Sequence, residues 1–149
     1  MTAEYISLAD AEALASKRLH AIAWRAAAAD TKPIALATAA AVLDQLKWAG
    51  TPVDSAQALA WPRRSVRDYS GRLLPQDTIP AAVATACAEL AFHLIGNPQP
   101  AGNPVQMRQL GDSLVMYFPT VADELPRHVR RLIEPYLRVR SAHAAELIP

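Results

Sequence analysis

Large apolar side chains recur at helical spacing over several stretches of this chain and lose that spacing in between. Ser7 reads as an N-cap for a first helix from roughly Leu8 to Leu19. Asp10 and Glu12 fall in its first turns and Lys17 and Arg18 in its last, an order that suits the helix dipole. Ala21 to Ala28 reads as a short second helix with Trp24 as its one large anchor. Asp30 then caps a third helix, from about Thr31 to Lys47, with Pro33 harmless in the first turn. Leu36, Ala39, Leu43 and Leu46 form its apolar stripe. The strongest helix opens at Ile79-Pro80, repeats apolar residues through Val83, Ala86/Cys87, Leu90 and Leu94, and stops at Gly96-Asn97-Pro98. A last helix is expected from about Pro126 to Leu137, interrupted by Pro135.

Two regions break the pattern. From Gly50 to Pro80 the prolines 52, 62, 75 and 80 and Gly71 leave no clean period, yet Trp61, Val66, Tyr69, Leu73 and Leu74 supply apolar anchors. The stretch is expected to be an ordered excursion with a turn at Tyr69-Ser70-Gly71-Arg72. Val105–Gln109 and Leu114–Phe118 flank Leu110-Gly111-Asp112-Ser113 and read as a β-hairpin, which needs the helices or a neighbouring subunit to support it. The expectation is therefore a mainly α protein: a bundle of about four to five helices with a long ordered loop and one β-hairpin. Residues 1–137 form the helical domain, with the hairpin at about 105–118. Residues 138–149 form a C-terminal tail that becomes ordered on a partner.

Composition narrows what such a bundle can do. Alanine dominates the apolar half of the chain, so helices approach closely along thin seams and gain stability from neighbours. The 15 Lys/Arg and 14 Asp/Glu leave a net charge of +1, which does not by itself call for a nucleic acid. The charge is uneven, however. Arg63, Arg64, Arg67 and Arg72 crowd one stretch, and Arg127, Arg130, Arg131, Arg138 and Arg140 lie towards the C-terminus. Cys87 is alone, with no basic neighbour in Thr85-Ala86-Cys87-Ala88, and reads as a buried apolar residue. No apolar run approaches the ~20 residues that span a bilayer. The N-terminus lacks the positive region of a signal peptide, so assembly in a cytoplasm is expected.

Catalytic patterns are missing from the sequence. Neither a His-Glu-x-x-His, a Walker A loop, a Gly-x-Ser-x-Gly elbow nor a Gly-x-Gly-x-x-Gly occurs. His20, His93, His128 and His143 read as surface or helix-edge side chains rather than ligands, and Asp54, Asp68 and Asp77 as turn and cap residues. No enzyme, metal or cofactor is expected. Trp61, Arg63, Arg64, Arg67 and Tyr69 mix aromatics with cations as single-strand grooves do. The same residues also suit a core plug whose arginines pair with acidic helix faces, or a contact with a protein partner. Residue chemistry leaves these three readings open.

The order of short segments resembles a known family. They run from Tyr5-Ile6-Ser7-Leu8-Ala9-Asp10-Ala11-Glu12 through Trp24, Ala35-Leu36 and Leu43-Asp44 to Leu59-Ala60-Trp61-Pro62-Arg63. Asp77-Thr78-Ile79-Pro80, Glu89-Leu90-Ala91 and Leu110-Gly111-Asp112 with Val115 and Tyr117 follow, and Leu132-Ile133-Glu134-Pro135-Tyr136-Leu137 closes the series. Together these segments resemble the head–tail adaptor (neck, or head-completion) proteins of tailed bacteriophages, some of which are catalogued as DnaT-like single-stranded-DNA-binding proteins. Ala40, where members often carry Thr, and the longer tail depart from the pattern.

The resemblance implies a virion structural protein at the neck of the particle. It would form a homo-oligomeric ring of about twelve copies, joining the portal protein to the tail or its stopper while packaged DNA passes through without sequence-specific contact. Portal docking is then expected from Arg130, Arg131, Leu137, Arg138, Val139, Arg140, Leu147 and Ile148. Subunit or tail-side contacts are expected from Trp61, Arg63, Arg64, Arg67, Arg72, Met107, Arg108 and Met116. The alternative is a single-stranded-DNA-binding protein of phage or prophage replication.

Overall fold

Ser7 begins the first helix as its sequence position suggests, its hydroxyl accepting the Asp10 backbone N–H at 3.1 Å. In the computed structural model, which describes residues 4–97 and 125–138, this helix α1 spans Leu8–Ser16. It stops short of Lys17 and Arg18, which were expected inside its last turn. Helix α2 is Ile22–Ala26 and α3 is Thr31–Asp44. Asp30 precedes α3 without a side-chain cap hydrogen bond. Helix α4 is Ala81–Gly96 and α5 is Arg127–Ile133, continued by a 3-10 turn at Glu134–Tyr136 where Pro135 ends the α geometry. The fold is mainly α. The hairpin expected at 105–118, with Met107, Arg108 and Met116, lies outside the described residues, as do Val139, Arg140, Leu147 and Ile148 of the tail.

Helix α4 is the axis of the bundle. It buries Val83, Ala86, Cys87, Ala88, Leu90, Ala91 and Phe92, too many for one stripe, because α3, α2 and α5 pack around it. Alanines on the α3–α4 seam let the backbones close in, to the point that Cys87 Sγ lies 3.7 Å from the Leu36 carbonyl oxygen. Burial pushes the Cys87 thiol up to about 12, so it stays protonated and inert at neutral pH. From the other side α5 inserts Val129 and Ile133, both fully buried. Trp24 of α2 meets Phe92 edge-on, with ring centroids 4.7 Å apart.

Polar side chains tie the ends of these helices together. Glu12 accepts from Trp24 Nε1 at 3.1 Å and from Lys32 Nζ at 2.7 Å, clamping α1, α2 and α3. The Lys32 bond, and then the Trp24 bond, hold the Glu12 carboxyl below its ordinary range. Asp44 Oδ1 accepts from the Tyr5 hydroxyl and from the Ala60 backbone N–H, fastening the N-terminus and the excursion to the end of α3.

The excursion from 50 to 80 is ordered and carries a small antiparallel ladder. Thr51–Pro52 (β1) pairs with Arg63–Arg64 (β2), Thr51 opposite Arg64 and Pro52 opposite Arg63. No alternation announces these strands, because each is two residues long and one contains proline. Gly50 makes the ladder possible. Its φ is +70°, and a Cβ there would lie 2.0 Å from the Arg64 carbonyl oxygen. On the other side of Gly50, Trp48 bridges to Leu137. The Ala49 N–H donates to the Tyr136 carbonyl at 2.9 Å, and the Arg138 N–H to the Lys47 carbonyl at 2.8 Å. The chain after α5 thus locks onto the start of the excursion.

Candidate nucleic-acid interface

The arginine-rich loop divides into an inward and an outward half. Trp61 is 1% exposed and meets Trp48 and Tyr136 edge-on, with centroids 5.4 and 5.9 Å away. Its peptide bond to Pro62 is cis. Arg63 is 9% exposed. Its Nε donates to the Ala49 carbonyl (2.8 Å), one terminal nitrogen to Ala60 (3.1 Å) and the other to Gly50 (2.9 Å). Burial, and then the nearby Arg138, pull its pKa down from the ordinary guanidinium value. It remains charged at neutral pH and works as a three-way clamp on backbone oxygens. Trp61 and Arg63, which the resemblance suggested for a subunit or tail-side contact and for which residue chemistry also left a core plug open, are occupied inside the chain. A rigid planar fork surrounded by otherwise unpaired carbonyls is worth more there than in water.

The outward half begins at Arg64, which is exposed on β2. Asp68 organises the turn that follows. Its Oδ1 accepts from the Ser70 N–H (2.9 Å), the Ser70 hydroxyl (2.6 Å) and the Arg72 N–H (3.0 Å). The Ser70 hydroxyl bond above all holds its carboxyl below the usual range. Gly71, at φ +82°, lets the chain reverse, and its N–H donates to the Asp68 carbonyl at 3.0 Å. Arg67 and Leu73 face each other across an antiparallel bridge, and Arg67 also donates to the Gly71 carbonyl at 2.7 Å.

The tip of this turn reaches α5. Tyr69, 76% exposed, donates from its hydroxyl to the Arg131 carbonyl at 3.1 Å. An exposed aromatic ring, the apolar Leu73 and the exposed cations Arg67 and Arg72 thus lie on a turn whose tip touches the backbone of α5, where Arg131 is also exposed. Of the residues suggested for docking, Arg131 meets this turn through its backbone carbonyl. Leu137 and Arg138 are held by their backbone pairing with Trp48 and Lys47. Arg130 is half-buried on α5 and engaged in contacts of its own.

A second polar cluster lies where α1, α4 and α5 meet. Arg18 pairs with Glu89, the His128 Nε2 lies 3.7 Å from the Glu89 carboxylate, and the His93 and His128 rings are 6.4 Å apart. With His20 they line a cavity of about 190 Å³ walled by Trp24 and Phe92. The sequence contained a signal for part of this. Glu89 and His93 are four residues apart on one helix and so share a face. The approach of Arg18 and His128 from other helices had no such signal. Among the described residues no group of His, Cys, Asp and Glu is arranged to hold a metal ion. None of the described helices is long and apolar enough to cross a membrane.

Fold and surface together define a small helical protein whose excursion presents an aromatic-tipped basic turn beside its last helix. Comparison with protein families gives the lineage. Residues 3–145 match the family described as "Putative DnaT-like ssDNA binding protein", and the chain belongs to that family. Comparison with curated proteins and with solved structures found no match.

Proposed function

We propose that the protein binds single-stranded DNA, without an enzymatic step, through the face formed by the 67–73 turn and α5. The observation that carries this reading is the Tyr69 hydroxyl bond to the Arg131 carbonyl, which joins the turn's basic residues to those of the helix. An exposed ring offers a base a stacking surface, and arginines on either side follow the phosphates. The family description points the same way. Trp61 and Arg63 have no part in the binding, because their side chains are already engaged.

A fluorescently labelled mixed-sequence 25-mer tests this by anisotropy. Binding should weaken steeply as salt rises, with a log–log slope of roughly −0.7 for each phosphate neutralised. Tyr69→Ala should cost about 1–3 kcal/mol, the worth of one stacked base, at unchanged melting temperature. Salt-independent or absent binding at low salt defeats the proposal.

The adaptor reading remains a second proposal, supported by the series of segments resembling neck proteins and by exposed apolar side chains. Leu19, Ile22 and Ile34 are 84%, 73% and 65% exposed, and contacts between copies in a ring would cover such residues. On this reading the protein resides in the virion, between portal and tail. Deletion of 139–149, which leaves the Arg138 backbone bond to Lys47 intact, should abolish co-sedimentation with portal rings. Undiminished co-sedimentation removes the tail as the docking element, and no co-sedimentation of the full chain removes the reading.

A further inference from the structure

The chain that leaves α5 lies antiparallel to the chain that leaves α3. Trp48 bridges to Leu137, the Ala49 N–H donates to the Tyr136 carbonyl, and the Arg138 N–H donates to the Lys47 carbonyl. This register sets Lys47 directly opposite Arg138, and both side chains are exposed. Like charges facing each other across paired strands weaken the pairing. No ion pair relieves them, since among the described residues the ion pairs join Arg18 and His128 to Glu89 and Lys32 to Glu12. Asp44, three residues before Lys47, is taken up by the Tyr5 hydroxyl and the Ala60 N–H. Glu134, four residues before Arg138, is exposed and makes no ion pair with it. A third cation stands close by. The Arg63 guanidinium sits on the Ala49 and Gly50 carbonyls, where Arg138 adds to the burial that pulls its pKa down. Three cations thus converge on one corner, and none of them is paired with a carboxylate among the described residues.

We propose that Lys47 and Arg138 hold a phosphate of the DNA strand at a second point, beyond the Tyr69 turn. This inference rests on the function proposed above and extends the path of the strand. Tyr136 links the two points. Its carbonyl holds Ala49, and burial first, then Asp68 and Tyr69, push its phenol pKa up, so its ring reaches towards the turn. From Arg131, whose carbonyl holds Tyr69, to Arg138 the chain covers no more than about 16 Å, from the rises of its helical, 3-10 and extended residues. A strand at its stacked spacing of ~3.4 Å per nucleotide bridges that within about five nucleotides. The two points take different parts of the strand. Tyr69 offers an exposed ring to a base, whereas Trp48 and Tyr136 at the corner are buried and leave only charge. A lysine and an arginine, one a compact charge and the other a planar fork, suit phosphate oxygens.

The same pair makes free and bound protein differ. In the free chain Lys47, Arg138 and Arg63 repel one another, most strongly at low salt, where screening is weak. A bound phosphate reverses the sign of that interaction, because its negative charge lies between the cations. Neutralising Arg138 should therefore leave the free protein at least as stable, with any gain largest at low salt, while weakening its hold on DNA. A cation that served the fold alone would behave in the opposite way. Its loss would lower the melting temperature and leave DNA binding unchanged.

Anisotropy of the labelled 25-mer with the full chain, followed from about 50 to 200 mM salt, tests this. Lys47→Gln/Arg138→Gln should weaken binding and reduce the log–log salt slope by about 0.7–1.4, for one or two phosphates no longer neutralised. Tyr69→Ala should weaken binding with an unchanged slope. The charge-preserving Lys47→Arg/Arg138→Lys should keep the wild-type slope, and Arg138→Gln should melt no lower than the wild type at low salt. Wild-type binding with an unaltered slope in the double glutamine variant overturns the second point and leaves the Tyr69 face standing. Loss of slope in the charge-preserving variant, or a lower melting temperature for Arg138→Gln, overturns it too. Absence of binding by the wild type removes both.

Discussion

Two halves of one loop share a composition and have opposite fates. Trp61 with Arg63 and Tyr69 with Arg72 are each an aromatic followed within three residues by an arginine. The first pair is enclosed by Trp48, Tyr136 and three backbone carbonyls, while the second projects from a turn pinned by Asp68. Aromatic-plus-arginine composition is thus not itself a binding platform. What decides is whether other parts of the chain have already used the ring face and the N–H groups. Here the inward half positions the outward one, since the ladder between β1 and β2 fixes where the turn emerges.

The sharpest way to break this contrast is at Trp61. Trp61→Ala should cost about 3–5 kcal/mol in chemical denaturation, by leaving a cavity between Trp48 and Tyr136. Trp61→Phe should retain much of that stability, because Trp61 Nε1 makes no hydrogen bond among the described residues. Arg63 comes next. Arg63→Lys should lose about 2–3 kcal/mol, since one ammonium cannot reproduce the fork across Ala49, Ala60 and Gly50. Retention of full stability by the lysine variant would mean that Arg63 is a surface charge after all.

The smallest change in stability is expected on the outward side. Asp68→Ala should barely move the melting temperature yet reduce oligonucleotide binding, because it frees the turn that presents Tyr69. The Asp68 pKa is depressed, so its bonds hold the turn above the ordinary carboxylate range and are lost as pH falls through the depressed value. The local order of the Ser70 and Arg72 amides, followed by exchange, should fall in that same acid window. An effect of Asp68→Ala on global stability equal to that of Arg63→Lys would erase the distinction between the two halves.

Much of this architecture was legible in advance because it is local. Ser7 caps α1, Pro80 precedes α4, Pro135 ends α5, and apolar spacing gives the faces of α3 and α4. The β1–β2 ladder was not legible, since two-residue strands carry no period and their pairing depends on Gly50 passing under Arg64. The candidate interface was half legible. Tyr69 and its arginines were visible as a cluster, but the contribution of Arg131 comes from a contact across 62 positions of the chain.

The sequence alone determined about where the helices begin, that Cys87 is an inert core residue, and that an ordered excursion interrupts the bundle, while α1, α2 and α3 end two or three residues earlier than their patterns suggest. Capping, backbone restriction and periodicity act over a few residues, so they can be read directly. Only the tertiary structure decided which aromatic and which arginine face inward, and which histidines meet Glu89. Those outcomes depend on who occupies the far side of each side chain. For Trp61 and Arg63 that neighbour is the chain from Trp48 to Gly50 together with Tyr136, and for Tyr69 it is one carbonyl of α5 and otherwise solvent.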